Sequence, residues 1–310
     1  MIKYTIKRFI YMIITIFVIV TLTFIIMHAI PGDPLASEGR NLPTQQRENL
    51  YEKYGLNKPL STQYVIFMKN LILKFDLGES YSYPGVTVNS IIKEKAPVSG
   101  IIGGEELLFG VVIGIVLGII AAFKKGTGID YVVMFIAIIG VTLPSFVVAT
   151  LLQYFFTVKL RLFPTTGWGE MKHTVLPAIA LGFGQIAIYA RFMRNSCIEV
   201  INQDYILTAD SKGTSNIKLV TKHILRNAIM PIVTMFGPAI ASVFTGTFII
   251  ENIFSIPGIG RYFVSSITNR DYPVILGTTV FVAILFIISV FVVDILYGLI
   301  DPRVKIIDKR

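Results

Sequence analysis

Two adjacent glutamates inside a long apolar run are the first residues with obvious chemical potential. Glu105 and Glu106 fall within the stretch from about Ser99 to Phe123. If this stretch crosses a membrane, an ionisable side chain in it is costly and marks a substrate or ion site by default. Both residues also stand near the beginning of the stretch, where a charge among lipid headgroups costs far less. We favour the headgroup interpretation and keep a substrate path as the alternative.

Two uncharged polar residues, Gln153 and Gln185, also fall in apolar runs. Hydrogen bonds between helices explain them as well as a place along a substrate path does. They are therefore candidates for the same path as the two glutamates.

The sequence lacks the motifs that would carry catalysis or bind a metal ion. The three histidines, His28, His173 and His223, are far apart, and no metal-spaced cluster surrounds them. Neither an H-E-x-x-H pair nor a G-x-x-x-x-G-K-[ST] phosphate loop occurs. The single cysteine, Cys197, excludes an internal disulfide. We predict no catalytic residue, no metal site and no cofactor bound by this chain.

The composition indicates a lipid environment. Hydrophobic residues make up 54% of the 310 residues and charged residues only 15%, whereas soluble domains carry about 25% charged residues. The net charge of +9 does not indicate nucleic-acid binding, because the charges form no basic domain and no nucleic-acid motif is present. In a membrane protein, an excess of Lys and Arg sets the orientation.

Six stretches are long and apolar enough to cross a bilayer, which takes roughly 20 residues each. The first, from about Phe9 to Ile30, is too long for the apolar core of a signal peptide and lacks an A-x-A-like cleavage site, so we expect it to be retained. The fourth, from Val175 to about Tyr189, is interrupted by glycine and glutamine. The other four run from about 99 to 123, 131 to 156, 228 to 250 and 274 to 300. The sequence thus predicts an all-α polytopic membrane protein with six transmembrane helices.

Small residues predict how some spans pack and bend. Gly110, Gly114 and Gly118 repeat at four-residue spacing in the second span, which favours a closely packed helix face. Pro144, with Gly140, is expected to bend the third span.

Basic residues in the short loops predict that both termini are cytoplasmic. With the N-terminus inside, Lys and Arg collect at the chain start, between the second and third spans, between the fourth and fifth spans, and in the tail. We divide the chain into a tail with the first helix (1–30), an extracellular segment (31–98) and a five-helix core (99–310) with a cytoplasmic loop at 195–227.

The extracellular segment is too long for a simple connector and holds enough aromatic and leucine residues for a few short helices. It is either a platform for an extracellular partner or a cap that shields the spans, and the sequence favours neither.

The cytoplasmic loop is predicted to be a helix, a glycine turn and a second helix. Gly213 is expected to end the first helix in a left-handed conformation, and Thr214 or Ser215 to cap the second. In the second helix, Ile217, Val220 and Ile224 form one predicted stripe, with Lys218 and Lys222 off it. Such a helix lies on the lipid surface or in a groove of a cytoplasmic partner, and the spacing alone slightly favours lipid.

Several motifs together resemble one family of permeases. The runs at 205–213 and 223–227, with Pro231, resemble the cytoplasmic "EAA" loop of binding-protein-dependent ABC importers, in the variant of the dipeptide, oligopeptide and nickel permeases. Ala209 stands four residues before Gly213, and His223 ten residues after it, as in that family. Further similar runs, close to those of oligopeptide permease B-type subunits, lie at 30–34, 54–60, 75–78, 254–260 and 294–303. The chain departs from Glu-Ala-Ala, since it has Thr208-Ala209-Asp210, and this puts the exact contacts of the first loop helix in doubt.

The resemblance implies the transmembrane fold of a type I ABC importer and a loop that couples to ATPase subunits. The residues it assigns to this coupling loop are Asp204, Tyr205, Ala209, Lys212, Gly213, Ser215, Lys218, His223, Arg226 and Asn227. The implied partners are a second permease subunit, two cytoplasmic ABC ATPase subunits that hold ATP and Mg, an extracellular substrate-binding protein and the lipid bilayer of a bacterial cell membrane.

The implied function is import of dipeptides or oligopeptides driven by ATP hydrolysis on the partner subunits, with nickel or another metal chelate as the alternative cargo. An ion-coupled secondary transporter would instead show internal repeats, and none is evident. A membrane-embedded enzyme would need a paired catalytic constellation, and none is present.

Overall fold

The protein is built from helices. The computed structural model describes residues 2–29, 31–35, 44–245 and 247–300. Within these residues the structure contains no strand, only an isolated antiparallel bridge between Glu79 and Thr87. The predicted all-α class is therefore confirmed.

The helices are numbered along the chain. They are α1 (Ile2–Ala29), α2 (Thr44–Tyr54), α3 (Leu60–Lys74), α4 (Val88–Phe123), α5 (Gly128–Thr142), α6 (Ser145–Leu152), α7 (Val175–Ile201), α8 (Asp204–Ser211), α9 (Asn216–Lys218), α10 (Leu225–Ala228), α11 (Met230–Thr245), α12 (Phe248–Ile253), α13 (Ile259–Asn269) and α14 (Tyr272–Ile300). Two π-helical segments, Gln153–Lys159 and Leu219–Ile224, continue α6 and join α9 to α10, and a short 3-10 turn, Met171–His173, precedes α7.

Four helices in the described residues are long and apolar enough to span a membrane, namely α1, α4, α7 and α14. The pair formed by α5 and the α6 segment adds a fifth candidate span, bent by 108°. The predicted span at about 228–250 falls on α11 and α12, and residue 246 between them lies outside the described residues. The helix α7 continues twelve residues beyond the predicted end of the fourth span, because its polar residues extend the helix without extending the apolar run.

The bend in the third span lies where proline predicts it. Helix α5 ends at Thr142, and Leu143 takes an extended conformation with ψ of 126° directly before Pro144. Proline disfavours the helical region in the residue that precedes it and cannot donate a backbone hydrogen bond. The prediction that Pro144 bends this span is confirmed.

One compact unit comprises Gly100–Ile256 together with the end of α14. In this unit, α4 packs closely on α7 through its glycines. A Cβ added to Gly114 would lie 2.7 Å from the Tyr189 Cβ, and one added to Gly118 would lie 2.6 Å from the Ala190 carbonyl oxygen. The predicted close-packed glycine face is confirmed, and the order of the contacts shows that α4 and α7 run parallel.

A buried ion pair fixes α5 to α7 in the same unit. The Arg194 Nε donates to Asp130 Oδ1 at 2.6 Å, and its Nη2 donates to Oδ2 at 2.7 Å. The Gly126 amide donates to the same Oδ2 at 3.0 Å. Such bidentate, charge-assisted pairs are directional, so they set the rotation of α7 relative to the start of α5.

The second compact unit comprises Ile2–Ser99 and Pro257–Ile288. The segment at 31–98 supplies the short helices α2 and α3, as expected. Phe24 and Met27 of α1 form a core with Tyr272 and Leu276 of α14, and aromatic residues of α3 cover it. Thus α3 packs on the C-terminal end of α1 and the beginning of α14.

Asp33, which follows α1, holds the start of the segment at 31–98 to α2. Its carboxylate accepts hydrogen bonds from the Leu35 amide at 2.9 Å, from Arg47 at 2.5 Å and from the Tyr51 hydroxyl. Partial burial works to raise the pKa of Asp33, but the hydrogen bonds from Tyr51, Leu35 and Arg47 outweigh it and lower the pKa. The carboxylate therefore stays charged well into the acidic range.

Asp271 binds the segment at 31–98 to the beginning of α14. Its buried carboxylate accepts hydrogen bonds from the Ser80 hydroxyl and from the Tyr81 and Ser82 amides, the latter two at 3.1 Å. The Val274 amide, in the first turn of α14, donates to it at 3.4 Å. A negative charge at a helix N-terminus is favourable, so one side chain caps the helix and fixes the loop.

We predict that Asp271→Ala destabilises the second unit by about 3 kcal/mol, because several buried donors lose their shared acceptor. The loss is measured by thermal unfolding in detergent together with limited proteolysis of the segment at 44–87. The exposed Glu48→Ala serves as the control and leaves both unchanged. Unfolding of Asp271→Ala at the wild-type temperature would contradict the role of this carboxylate.

Candidate functional site

The segment between α7 and α11 forms a loop of short helices, which we call the coupling loop (Asp204 to Asn227). Helix α7 ends at Ile201, and Asn202 and Gln203 turn the chain into α8. The predicted first loop helix, which started at about Asn195, is therefore divided: its first part continues α7, and its second part is α8.

The turn after α8 is a Schellman motif. Gly213 has a positive φ of 74° and its amide donates to the Asp210 carbonyl at 2.8 Å. The Thr214 amide donates to the Ala209 carbonyl at 3.3 Å. This pair of bonds satisfies the last carbonyls of the helix. The prediction that Gly213 ends the helix in a left-handed conformation is confirmed.

Two isoleucines anchor the coupling loop to α7. Ile206 of α8 is only 4% exposed, and Ile224, at the end of the second π-helical segment, is equally buried. Both belong to a cluster with Met193 and Cys197 of α7. Because these contacts involve both halves of the loop, both halves are packed on the C-terminal part of α7.

Other large apolar side chains of the loop point away from this anchor. Tyr205 and Leu207 flank Ile206, and Leu207 is 61% exposed. Ile217 of α9 is 77% exposed. Exposed apolar residues that are grouped in one segment indicate a contact surface.

The prediction that Ile217, Val220 and Ile224 form one apolar face of a helix is wrong. Ile224 is buried, Val220 is half-buried and Ile217 is exposed. The helix changes to π geometry from Leu219 to Ile224, and the wider turn rotates later residues relative to earlier ones. The second half of the loop is therefore buried at its end, at Ile224, and exposed at its beginning, at Ile217.

The polar residues assigned to the coupling loop are mostly on its surface. Asp204 begins α8, and its carbonyl accepts the Thr208 hydroxyl at 2.9 Å. His223 is half-buried, and its carbonyl accepts the Asn227 amide at 2.8 Å. Ala209 is half-buried, whereas the remaining assigned polar residues are exposed: Lys212, Ser215, Lys218 and Arg226. The exposed surface of the loop thus carries basic and other polar side chains besides the apolar side chains of Tyr205, Leu207 and Ile217.

The four polar residues predicted along a substrate path do not form one group. Gln153 donates to the Thr165 carbonyl at 2.8 Å and to the Ile253 carbonyl at 3.1 Å. Its amide therefore holds backbone segments together, which favours the packing interpretation. Gln185 is half-buried on α7, and its Cβ would lie 2.6 Å from a Cβ added to Gly110.

Glu106 lies at the α4–α7 contact, and Glu105 precedes it on α4. Glu106 is 7% exposed and Glu105 is half-buried. In the described part of the chain, Oε2 of each is buried and has no hydrogen-bond partner. Tyr189, fully buried on α7, has an unpartnered hydroxyl and belongs to the same cluster as Met193 and Cys197. Sequence reasoning missed Tyr189, because a tyrosine in an apolar run gives no signal that its hydroxyl is buried without a partner.

The chain matches two families over nearly its full length. Residues 114–306 match the family described as binding-protein-dependent transport system inner membrane component. Residues 1–103 match the N-terminal family of such membrane components.

The similar proteins cover the whole chain. The dipeptide transport system permease protein DppB of Bacillus subtilis is 47% identical over 306 residues, 99% of each chain. The oligopeptide transport system permease protein OppB of Salmonella typhimurium is 40% identical over 307 residues, 98% of this chain and 100% of the relative. A solved chain of the MetNI methionine ABC transporter, at 17% identity, has a TM-score of 0.51 over 68% of this chain and 94% of that chain. The similarity to the MetNI chain shows a shared fold and no more.

We predict that Ile206→Ala loosens the coupling loop by about 2–4 kcal/mol, since it removes a buried side chain that anchors α8. Hydrogen exchange of residues 204–228 in detergent measures the change. Leu207→Ala, one residue further and exposed, is the matched control and alters exchange little. Equal exchange in both variants would contradict the anchoring role of Ile206.

Proposed function

The chain belongs to the inner membrane components of binding-protein-dependent transport systems, and on this premise we propose that it carries peptides as one permease subunit of an ATP-driven importer. The proposal of peptides is supported by relatives named for dipeptides and oligopeptides that match over the full length. The metal-chelate alternative is not favoured, since neither of these relatives is named for a metal.

The coupling mechanism is supported by one observation: some apolar residues of the coupling loop are buried against α7, and others are exposed. Ile206 and Ile224 bind the loop to α7, while Tyr205, Leu207 and Ile217 are exposed. Helices that are fixed on one side and apolar on the other suit a groove in a partner protein. We assign this partner as a cytoplasmic ATPase subunit, because this chain has no phosphate loop of its own.

Motion of the coupling loop would pass directly into the spans of its own unit. The loop is anchored to the inner end of α7, and α7 is one continuous helix to Val175. The ion pair between Arg194 and Asp130 fixes α5 to α7 close to the loop. A rigid displacement of the loop therefore moves α7 and α5 together, which is the kind of rigid-body motion that opens and closes a path.

The role of a permease subunit implies further subunits of the complex. We propose a second permease subunit across the path, two ATPase subunits that bind ATP and Mg, and an extracellular binding protein that docks on the segment at 31–98. The orientation has both termini and the coupling loop in the cytoplasm of a bacterial cell, in agreement with the basic residues of the inner loops.

The proposal is tested by reconstituting the complete complex in liposomes with its binding protein. We expect uptake of labelled tri-alanine, added outside with the binding protein, that requires ATP enclosed in the vesicles on the ATPase side, and no uptake by this chain alone. Uptake by the chain alone under an ion gradient would instead establish a secondary transporter and overturn the proposal.

We predict that Gly213→Val uncouples transport, because a β-branched residue resists positive φ at a cost of about 1–3 kcal/mol. Space is not limiting, since a Cβ at this position meets no atom within 4 Å. Gly213→Asn is the matched control, because asparagine tolerates the left-handed conformation. Uptake per ATP hydrolysed should fall several-fold in the valine variant and be retained in the asparagine variant; equal losses in both would argue against the turn.

A further inference from the structure

Helix α3 arranges its side chains in the opposite way to a helix that lies in water. Its two amide residues, Gln63 and Asn70, line a cleft of about 340 Å³ beside α2, and the Gln63 side chain donates to the Lys58 carbonyl at 2.9 Å. Val65 and Ile72, by contrast, are each 61% exposed. A helix on a water-facing surface turns its amides outward and its aliphatic residues inward.

The exposed apolar residues of α3 form a surface of some length. Val65 and Ile72 are seven residues apart, so they lie on the same side of the helix, two turns from each other. Leu73 is 67% exposed, and Phe75, which ends the helix in a left-handed conformation, is 78% exposed. We call these four residues the α3 apolar surface. Large apolar side chains grouped in this way indicate contact with another protein or with lipid.

Helix α3 lies beside a candidate span at a level that is inside the bilayer. The Tyr64 hydroxyl and Thr21 Oγ1 of α1 share a hydrogen bond of 2.6 Å. Helix α1 runs from Ile2 to Ala29, so Thr21 stands 19 residues after its first residue and 8 residues before its last. A hydrocarbon core of roughly 30 Å takes about 20 residues at 1.5 Å each. Every placement of the core within α1 therefore includes Thr21, and the Tyr64 side chain reaches into the core.

The surface of α3 continues into a part of α1 that suits lipid. A groove of about 420 Å³ lies between the two helices and is lined by Thr21 and Ile25 of α1 and Leu60 of α3, among others. Beside this groove, Leu22, Ile25 and Ile26 are 51%, 56% and 61% exposed. In the most apolar 18 residues of α1, only 11% of the residues are buried. Lipid tails are as apolar as these side chains, so this side of α1 can face the acyl chains without cost.

The charges of α3 suit phospholipid headgroups. Residues 57–75 contain three lysines, Lys58, Lys69 and Lys74, and no acidic residue. Lys58 stands before the helix and Lys74 in its last turn, while Lys69 is exposed. The long stem of a lysine lets its ammonium reach the headgroups while neighbouring apolar residues stay among acyl chains. A basic helix with exposed apolar residues is typical of helices that lie in the membrane interface.

We propose that α3 is an interfacial helix, embedded in the leaflet that surrounds the C-terminal end of α1. The α3 apolar surface lies among the acyl chains, an acyl chain fills the groove between α1 and α3, and the three lysines contact the phosphate groups. Lipid is the occupant that fits, because the surface is continuous with the apolar side of α1 and carries only positive charge. This inference concerns lipid and does not depend on which substrate is transported.

The test places the photoreactive amino acid p-benzoylphenylalanine at position 65 of the complete complex in vesicles of phosphatidylethanolamine and phosphatidylglycerol. After illumination, mass spectrometry measures the fraction of this chain that carries one phospholipid. We expect the fraction for Val65→p-benzoylphenylalanine to be several-fold larger than for Glu48→p-benzoylphenylalanine, the matched control at an exposed position of the polar helix α2. Ile72→p-benzoylphenylalanine, on the same side of α3, should give the same result as the Val65 variant.

Three outcomes would overturn the inference. A cross-link from position 65 to another subunit or to the binding protein, in place of lipid, would show that a protein covers the α3 apolar surface. Equal phospholipid fractions at positions 65 and 48 would show that α3 is no closer to the acyl chains than α2 is. Absence of any adduct at both 65 and 72 would show that this surface faces water.

Discussion

The close contact between α4 and α7 is the constraint on which the unit containing the coupling loop depends. Membrane helices gain little from hydrophobic association, since lipid is as apolar as the helices, so they depend on close packing of small residues. Here the glycines of α4 let the backbone of α7 approach within contact distance along three turns. Glu106 lies at one end of this contact, level with Gly182, and Met193 lies at the other end, level with Gly118. Met193 also belongs to the cluster that holds the coupling loop, so the same helix pair supports the anchor of that loop.

The sequence predicted those structural features that depend on residues close together in the chain. The apolar runs predicted α1, α4 and α14, Pro144 predicted the bend after α5, and Gly213 predicted the turn after α8. Each depends on residues within one or two turns of the chain. The full-length match to known permeases agrees with the family that the motifs indicated.

Features that depend on distant residues could not be predicted in this way. Asp271 binds Ser80, which is 191 residues away in the sequence. The spacing of apolar residues along the chain cannot predict such a pair. Gln153 suited a substrate path until its contacts with two distant backbone carbonyls were known. The π-helical turn that exposes Ile217 depends on how Ile224 packs against α7, and a helical spacing rule assumes that no such turn occurs. The assigned residues of the coupling loop and of the path stay predictions, because their roles concern partners and substrate.

The single cysteine has a practical consequence for spectroscopy. Cys197 is almost completely buried beside Ile206 and Ile224, and buried structural thiols are inert toward reagents. In labelling experiments, the wild-type chain therefore behaves almost like a chain without cysteine. Probes attached to new thiols at surface positions would report distances without prior mutation of the native residue, so the working cycle could be followed in a transporter whose packing is intact.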